Sequence, residues 1–248
     1  QIAFMLHETD KNLIKDKVCM EIGSGWLLTH SIVFYLLGAK KIITTDYSRL
    51  SEPKYIKNAI NNSYISGVRD VLSSFEDHEI IRERLDHIQS IKNWTFEILK
   101  KELNIEYIAP IDLTKNTLEP VDFIFSLSVL EHITVDDFPI LISNLLKMTK
   151  ADGNQFHFIH LEDHDNIEDD PFGFLANENY PIQYQYERGN RLRASSCVKE
   201  FEKNKNSKVN VVYEWRRKKA LPKTIDKNVS YIDDSDAGIS HLGLWIKV

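Results

Sequence analysis

Cysteine is scarce. Cys19 and Cys197 are the only two in 248 residues, and they form neither a disulfide framework nor a metal-ligand spacing. Both are read as small residues of no redox function, and their rarity fits a reducing, cytoplasmic compartment. Long apolar runs are missing too. No stretch reaches 18 uncharged apolar residues, and the run from Leu27 to Leu37 is interrupted by His30 and Ser31, so no membrane partner is expected. The first residues carry no signal-peptide pattern, and Gln1 in place of Met is read as a start inside a longer chain. Basic charge is not in excess: 31 Lys+Arg stand against 37 Asp+Glu, a formal net charge of −6, which disfavours a broad nucleic-acid surface.

What is present is a core-forming composition, 42% hydrophobic, at a length that suits one large α/β domain with an inserted cap. The organising stretch is Lys17 to Arg49. Lys17–Ile22 has the length of a buried parallel strand. Gly23-Ser24-Gly25 then allows a sharp turn and a close backbone approach to a ligand. An apolar helix over Leu27–Leu37 stops at Gly38, and the β-branched strand Ile42–Thr45 delivers Asp46 at its end. This is half of a doubly wound fold, in which ligands sit at the carboxyl ends of the strands.

Asp46 stands 23 residues after Gly23, near the spacing of an acid that accepts ribose hydroxyls. The third glycine of the dinucleotide fingerprint is absent: Trp26 and Leu27 follow Gly25, and position 28 is leucine. A nucleoside without a pyrophosphate therefore fits better than a dinucleotide. A turn of purely structural purpose is the alternative.

These residues, with Ile111-Asp112-Leu113 and Phe125–His132 (FSLSVLEH), resemble the class I S-adenosylmethionine-dependent methyltransferases over roughly residues 17–161. The resemblance implies a mostly parallel seven-stranded sheet with helices on both faces, closed by an antiparallel pair, and S-adenosyl-L-methionine as cofactor. Glu21 is placed near the methionine amine, with Gly23, Ser24 and Gly25 at the turn and Asp46 on the ribose. By resemblance Asp112 accepts from the adenine amino group, Leu113 packs beside the base, and Ser126 and Leu127 line the methionine portion.

Along the rest of the chain, Ile2–Leu13 is expected to form a short helix and His78–Leu103 a longer amphipathic one, with Ile81, Leu85, Ile88, Ile91, Trp94 and Ile98 at helical spacing. A further helical stretch is expected around Tyr55–Asn62, while Ile65–Phe75 is ambiguous. Asp46 and Asp112 are 66 residues apart, more than one crossover helix needs, so roughly 52–103 is read as a helical cap insertion, with oligomer contact as its other use. Strands are expected at Ile105–Ile108, Val121–Leu127 and Gln155–Leu161, with a turn at Ala151–Asn154 and a helix over Val135–Met148 capped by Thr134 or Asp136. Roughly 162–194 is a long polar and aromatic insertion on the acceptor side. Ser195 or Ser196 is expected to cap a helix over Cys197–Asn204, and Val209–Trp215 and Gly243–Val248 are strand-like.

Methyl transfer expels a neutral leaving group, so alignment and a base for a hydroxyl acceptor suffice. His164 with Asp163 is the first choice of base, His132 the second, and His160 is placed at the acceptor or in the core. The run His160–His164 could also hold a divalent ion, but its spacing matches no zinc signature and no metal is expected. Arg188, Arg191 and Arg193 in a glycine-containing loop could grip an oxyanion on the acceptor; pairing with Glu168-Asp169-Asp170 is the plainer use. The expected activity is O-methylation of a small polar acceptor, a sugar or sugar nucleotide of surface polysaccharide synthesis. Nucleic-acid or protein methylation, a nicotinamide-dependent oxidoreductase and a silent nucleoside-binding module are the alternatives; the missing pyrophosphate glycine and the lack of a Tyr-x-x-x-Lys arrangement disfavour the oxidoreductase. Oligomeric state is not legible.

Overall fold

Strands β1 (Val18–Ile22), β2 (Lys41–Thr45) and β3 (Ile105–Ile108) run parallel, in register from Val18 against Lys41 and from Ile42 against Ile105. With β4 (Val121–Leu127), β5 (Thr149–His160), β6 (Lys208–Arg216) and β7 (Ile239–Lys247) they make a seven-stranded sheet, order β3-β2-β1-β4-β5-β7-β6. β7 lies antiparallel between β5 and β6. This computed structural model describes residues 1–61 and 64–248, and the side chains of 61–66 are not described. The chain divides into two compact units, residues 1–125 and 126–248.

In the first unit α1 (Ile2–Glu8) precedes β1, and α2 (Thr29–Leu36) follows it. α1 is shorter than Ile2–Leu13, because the Thr9 hydroxyl donates to Met5 O at 2.5 Å and Asp10 folds back to accept from Asn12 N at 2.8 Å. The core is aromatic: Phe34 of α2 meets Phe123 and Phe125 of β4 at ring separations of 6.1 and 5.6 Å. Among the described residues, 52–103 hold four helices, α3 (Pro53–Asn61), α4 (Tyr64–Leu72), α5 (His78–Ser90) and α6 (Phe96–Leu103). Asn62, the expected end of the helix near Tyr55, lies outside the described residues.

The single helix expected over His78–Leu103 is two. Ile91 leaves helical geometry with ψ 109°, and Thr95 starts afresh by accepting from Ile98 N at 3.2 Å. The apolar period runs through the break because both helices bury the same kind of face, so periodicity alone hides it. α5 packs on α2, where Tyr35 Oη lies 2.8 Å from His87 Nδ1 and Arg84 donates to Leu36 O.

In the second unit α7 (Phe138–Lys147) starts later than Val135, after a turn in which Thr134 and Asp137 exchange hydrogen bonds. Ala151–Asn154 is not a free turn. β5 begins at Thr149, and Asp152 N and Gly153 O pair with Val248, so a distant strand end overrides local turn chemistry. α8 (Ile182–Glu187) and a short 3₁₀ turn, Gly173–Ala176, occupy the 162–194 segment. Phe172, Phe174 and Leu175 bury against Val229, giving that segment a small core of its own. α9 (Ala194–Glu202) starts before Cys197. Its capping acid comes from α10 (Asp234–Ala237): Asp236 accepts from Ser195 N at 2.9 Å and from the Ser195 hydroxyl.

Candidate functional site

In the first unit, three segments far apart in sequence converge beside the ends of β1 and β2. Gly23 and Gly25 take φ of +75° and +61°, the left-handed region that glycine enters without strain, and a Cβ on Gly25 would meet open space. Gly23 N and Ser24 N donate to Thr45 O, each at 2.9 Å. Gly25 N donates to Asp46 Oδ2 at 3.0 Å, and Ser48 N to Asp46 Oδ1. Ile111 N donates to Asp46 O at 2.9 Å, which ties the Asp112–Leu113 segment to the same place. Trp26, Leu27 and Tyr47 are exposed around the turn, and Leu28, at the position of the missing glycine, is buried with φ of +48°.

These residues suit a nucleoside. Asp46 is half-exposed with lone pairs left over, the turn is open, and exposed rings flank it. Two placements differ from expectation. Glu21 is buried, with Oε2 accepting from Ser31 at 2.6 Å and Thr44 at 2.9 Å and Oε1 2.9 Å from His30 Nδ1, so its carboxylate is occupied by its own helix and strand. The polar His30 and Ser31 in an otherwise apolar helix are the sequence signal for that. Ser126 is fully buried with Oγ 2.7 Å from His157 Nδ1, a core contact and not a pocket lining. Leu127 is half-buried, the last residue of β4.

Asp112 Oδ1 accepts from Thr114 N at 3.0 Å and the Thr114 hydroxyl at 2.6 Å, and Lys115 pairs with Oδ2. It stays half-exposed. Burial alone would raise its carboxyl, but the Lys115 and Thr114 contacts outweigh that and hold it below the usual range.

In the second unit, imidazoles gather after β4 and at the end of β5. His164 lies 4.6 Å, ring to ring, from both His132 and His160, and His160 stacks on His241 at 4.3 Å. Burial lowers the pKa of His132 and His241, the latter to about 4. It also brings His164 down to about 4, helped by the neighbouring His132 and His160, so His164 is a neutral imidazole at physiological pH.

Two buried carboxylates flank His160 and differ sharply. Glu162 Oε2 lies 2.8 Å from His160 Nε2, while Oε1 accepts from Arg217 Nε at 2.6 Å and Ser240 at 3.0 Å. Burial opposes its ionisation, yet these donors hold it down at about 2. Glu131 accepts from His160 N at 3.2 Å and has weaker contacts with Ser128 and its own main chain, which do not offset burial, and burial pushes it up to about 8. The His160–His241 pairing across β5 and β7, and the Arg217 and Ser240 contacts, had no signal in the sequence because they depend on strand register.

The expected Asp163–His164 dyad does not form. Asp163 is buried and takes a two-pronged contact from Arg188, Nε to Oδ1 at 2.9 Å and Nη2 to Oδ2. Arg188 therefore serves the chain, not an acceptor. Arg191 pairs with Asp226 at 3.1 Å, donates to Asn177 O and lies 4.4 Å over the Tyr180 ring. Arg193 is fully buried, donating to Leu161 O at 2.7 Å and Ile239 O at 2.6 Å. None of the three meets Glu168, Asp169 or Asp170; their partners are carbonyls and acids that no local pattern reveals.

A protein from Listeria monocytogenes described as an S-adenosylmethionine-dependent methyltransferase superposes with a TM-score of 0.50 over 100% of this chain and 99% of its own, at 13% identity. The chain has the class I methyltransferase fold. Magnesium protoporphyrin IX methyltransferase from Synechocystis PCC 6803, with bound S-adenosylhomocysteine, gives the same score at 13% identity, over 99% of this chain and 79% of its own. At such identity the methyltransferase likeness is one of fold. No family profile and no curated protein sequence matches. Among the described residues, no helix is long and apolar enough to cross a membrane.

Proposed function

We propose that this chain is an S-adenosylmethionine-dependent methyltransferase that methylates a hydroxyl of a small, polar, uncharged acceptor. One observation carries the donor side: the glycine turn, Asp46 and the Asp112 segment, far apart in sequence, are hydrogen-bonded together beside the ends of β1 and β2 in a class I methyltransferase fold. Bound there, the donor supplies a methyl on a sulfonium that leaves as a neutral thioether. Asp46 accepts from the ribose hydroxyls, Asp112 from the adenine amino group, and the rings of Trp26 and Tyr47 shield the nucleoside from water. With no ion bound, His164, or in second place His132 in edge contact with it, is the imidazole whose free ring nitrogen takes the proton of the acceptor hydroxyl.

The net charge of −6 gives no general attraction to nucleic acid, which favours a small polar acceptor over an RNA or DNA one. An uncharged sugar hydroxyl is better supported than a sugar phosphate, because Arg188, Arg191 and Arg193 are spent on internal partners.

Titration calorimetry with S-adenosylhomocysteine and with NADH tests the donor side. The homocysteine product is expected to bind and NADH not to; binding of NADH alone overturns the reading. Asp46→Ala should weaken the product at least about tenfold, as loss of a charge-assisted hydrogen bond does. His164→Ala should leave that affinity unchanged and lower transfer of a labelled methyl to a panel of free sugars.

A further inference from the structure

Glu131 is 1% exposed, yet its Oε2 has no hydrogen-bond partner, and neither has the buried Nε2 of His164. Buried polar atoms are nearly always satisfied, so two orphans side by side call for a shared partner. One ligand atom from each of Glu131, His132 and His164 lies within 4.8 Å of the others. We propose that Glu131, His132 and His164 form a binding site for a divalent transition-metal ion.

The protonation pattern suits ligation. His132 Nδ1 lies 2.8 Å from Tyr186 O, and a carbonyl can only accept, so the proton sits on Nδ1 and the Nε2 lone pair is left for the ion. His164 is hydrogen-bonded to the main chain of His160, which leaves its unpartnered Nε2 for the same purpose. Glu131 Oε1 and His164 Nε2 stand 3.8 Å apart, close to the roughly 3.3 Å separating two ligand atoms on tetrahedral zinc.

The ligand-bearing segments are braced by one loop. Asn190 donates from Nδ2 to Leu130 O and Ile133 O and from its main chain to Glu131 O. His164 N donates to Arg188 O, and the Arg188–Asp163 fork clamps the neighbouring residue. That is the rigid support a metal site needs. The other grouping, His160, Glu162 and His241, is unlike it: Arg217 already occupies Glu162 as a cation, and Ser240 and His160 take its remaining capacity.

Two imidazoles and one carboxylate favour zinc, cobalt, manganese or iron over magnesium or calcium. Three protein ligands leave a position for water or an acceptor oxygen, and half-exposed His132 provides an entry. Metal uptake does not depend on methyl transfer.

The test is titration of the metal-free chain with Zn²⁺ in a calorimeter and with Co²⁺ followed by visible absorption. A single ion per chain is expected, with cobalt bands of a nitrogen- and oxygen-ligated centre. Glu131→Gln, nearly isosteric, and His164→Ala should each weaken uptake at least about tenfold, while His241→Ala leaves it unchanged. Far-UV circular dichroism identifies any variant that fails to fold, and the titration of the unaltered chain stands without them. No uptake, or uptake lost in His241→Ala but kept in Glu131→Gln, overturns the proposal. Binding of S-adenosylhomocysteine is measured separately, so failure of the metal site leaves the donor crevice untouched.

Discussion

Glu21 ends close to the turn after β1 and Glu131 sits in the 3₁₀ turn after β4; both are 1% exposed. Around Glu21 the chain supplies Ser31, Thr44 and His30, so every oxygen has a partner. Around Glu131 it supplies a long bond from His160 N and weak contacts from Ser128 and the residue's own main chain, and leaves Oε2 without a hydrogen-bond partner. A carboxylate at a strand end is thus a framework group or a ligand-seeking one according to the donors its neighbours bring. The first unit satisfies its buried acid internally and keeps Asp46 and Asp112 accessible. The second unit buries cations and imidazoles too, which makes its charges costly to disturb.

The largest effect expected from that contrast is at Arg193. Its guanidinium is fully buried, burial lowers its pKa to about 10, and it holds two main-chain carbonyls. Arg193→Leu leaves Leu161 O and Ile239 O unpaired and should cost about 3–5 kcal/mol in urea unfolding. A loss below about 1 kcal/mol would mean water reaches those carbonyls and the second unit is less tightly closed than its burial implies.

Next comes the acid sensitivity of the second unit. His157 is buried between Ser126 and Gln155, stacked on Phe201 at 5.1 Å, and burial lowers its pKa from 6.5 to about 3. Between those values the unfolded chain binds a proton that the folded chain refuses. Stability from this residue is therefore full above pH 6.5 and falls as pH drops toward 3, by about 2 kcal/mol at pH 5. Urea midpoints at pH 7 and pH 5 should diverge more in the native chain than in His157→Gln. Equal divergence would assign the acid loss to other groups.

The same contrast explains what was legible in the sequence. The glycine turn, Asp46 and the Asp112 segment could be read because each is a local pattern, strand then turn or strand then acid, whose geometry follows from short-range backbone rules. The roles of Arg188, Arg191 and Arg193 could not, since each partner, from Asp163 to Asp226 to Ile239 O, is fixed by tertiary packing. Likewise β5 gained residues 149–154 because Val248 comes back to pair there, and α9 is capped by Asp236, 41 residues after Ser195. Where Thr95 recaptures an amide and splits the helix, the cue was present but the apolar period ran over it.

The smallest stability effect belongs to Asp112, and it separates two uses of one carboxylate. As a turn former it accepts from Thr114 N and Oγ1, with a pairing to the exposed Lys115 that solvent screens. Asn can accept the same amide, so Asp112→Asn should move stability by no more than about 0.5 kcal/mol, and Asp112→Ala by about 1 kcal/mol. As an adenine acceptor it predicts a different order: affinity for S-adenosylhomocysteine is kept in Asp112→Asn, whose amide oxygen still accepts, and falls several-fold in Asp112→Ala. If Asp112→Ala unfolds more easily yet binds the product as tightly as the native chain, the residue only shapes its own turn. The donor crevice would then recognise ribose through Asp46 and leave the base to apolar contact with Leu113.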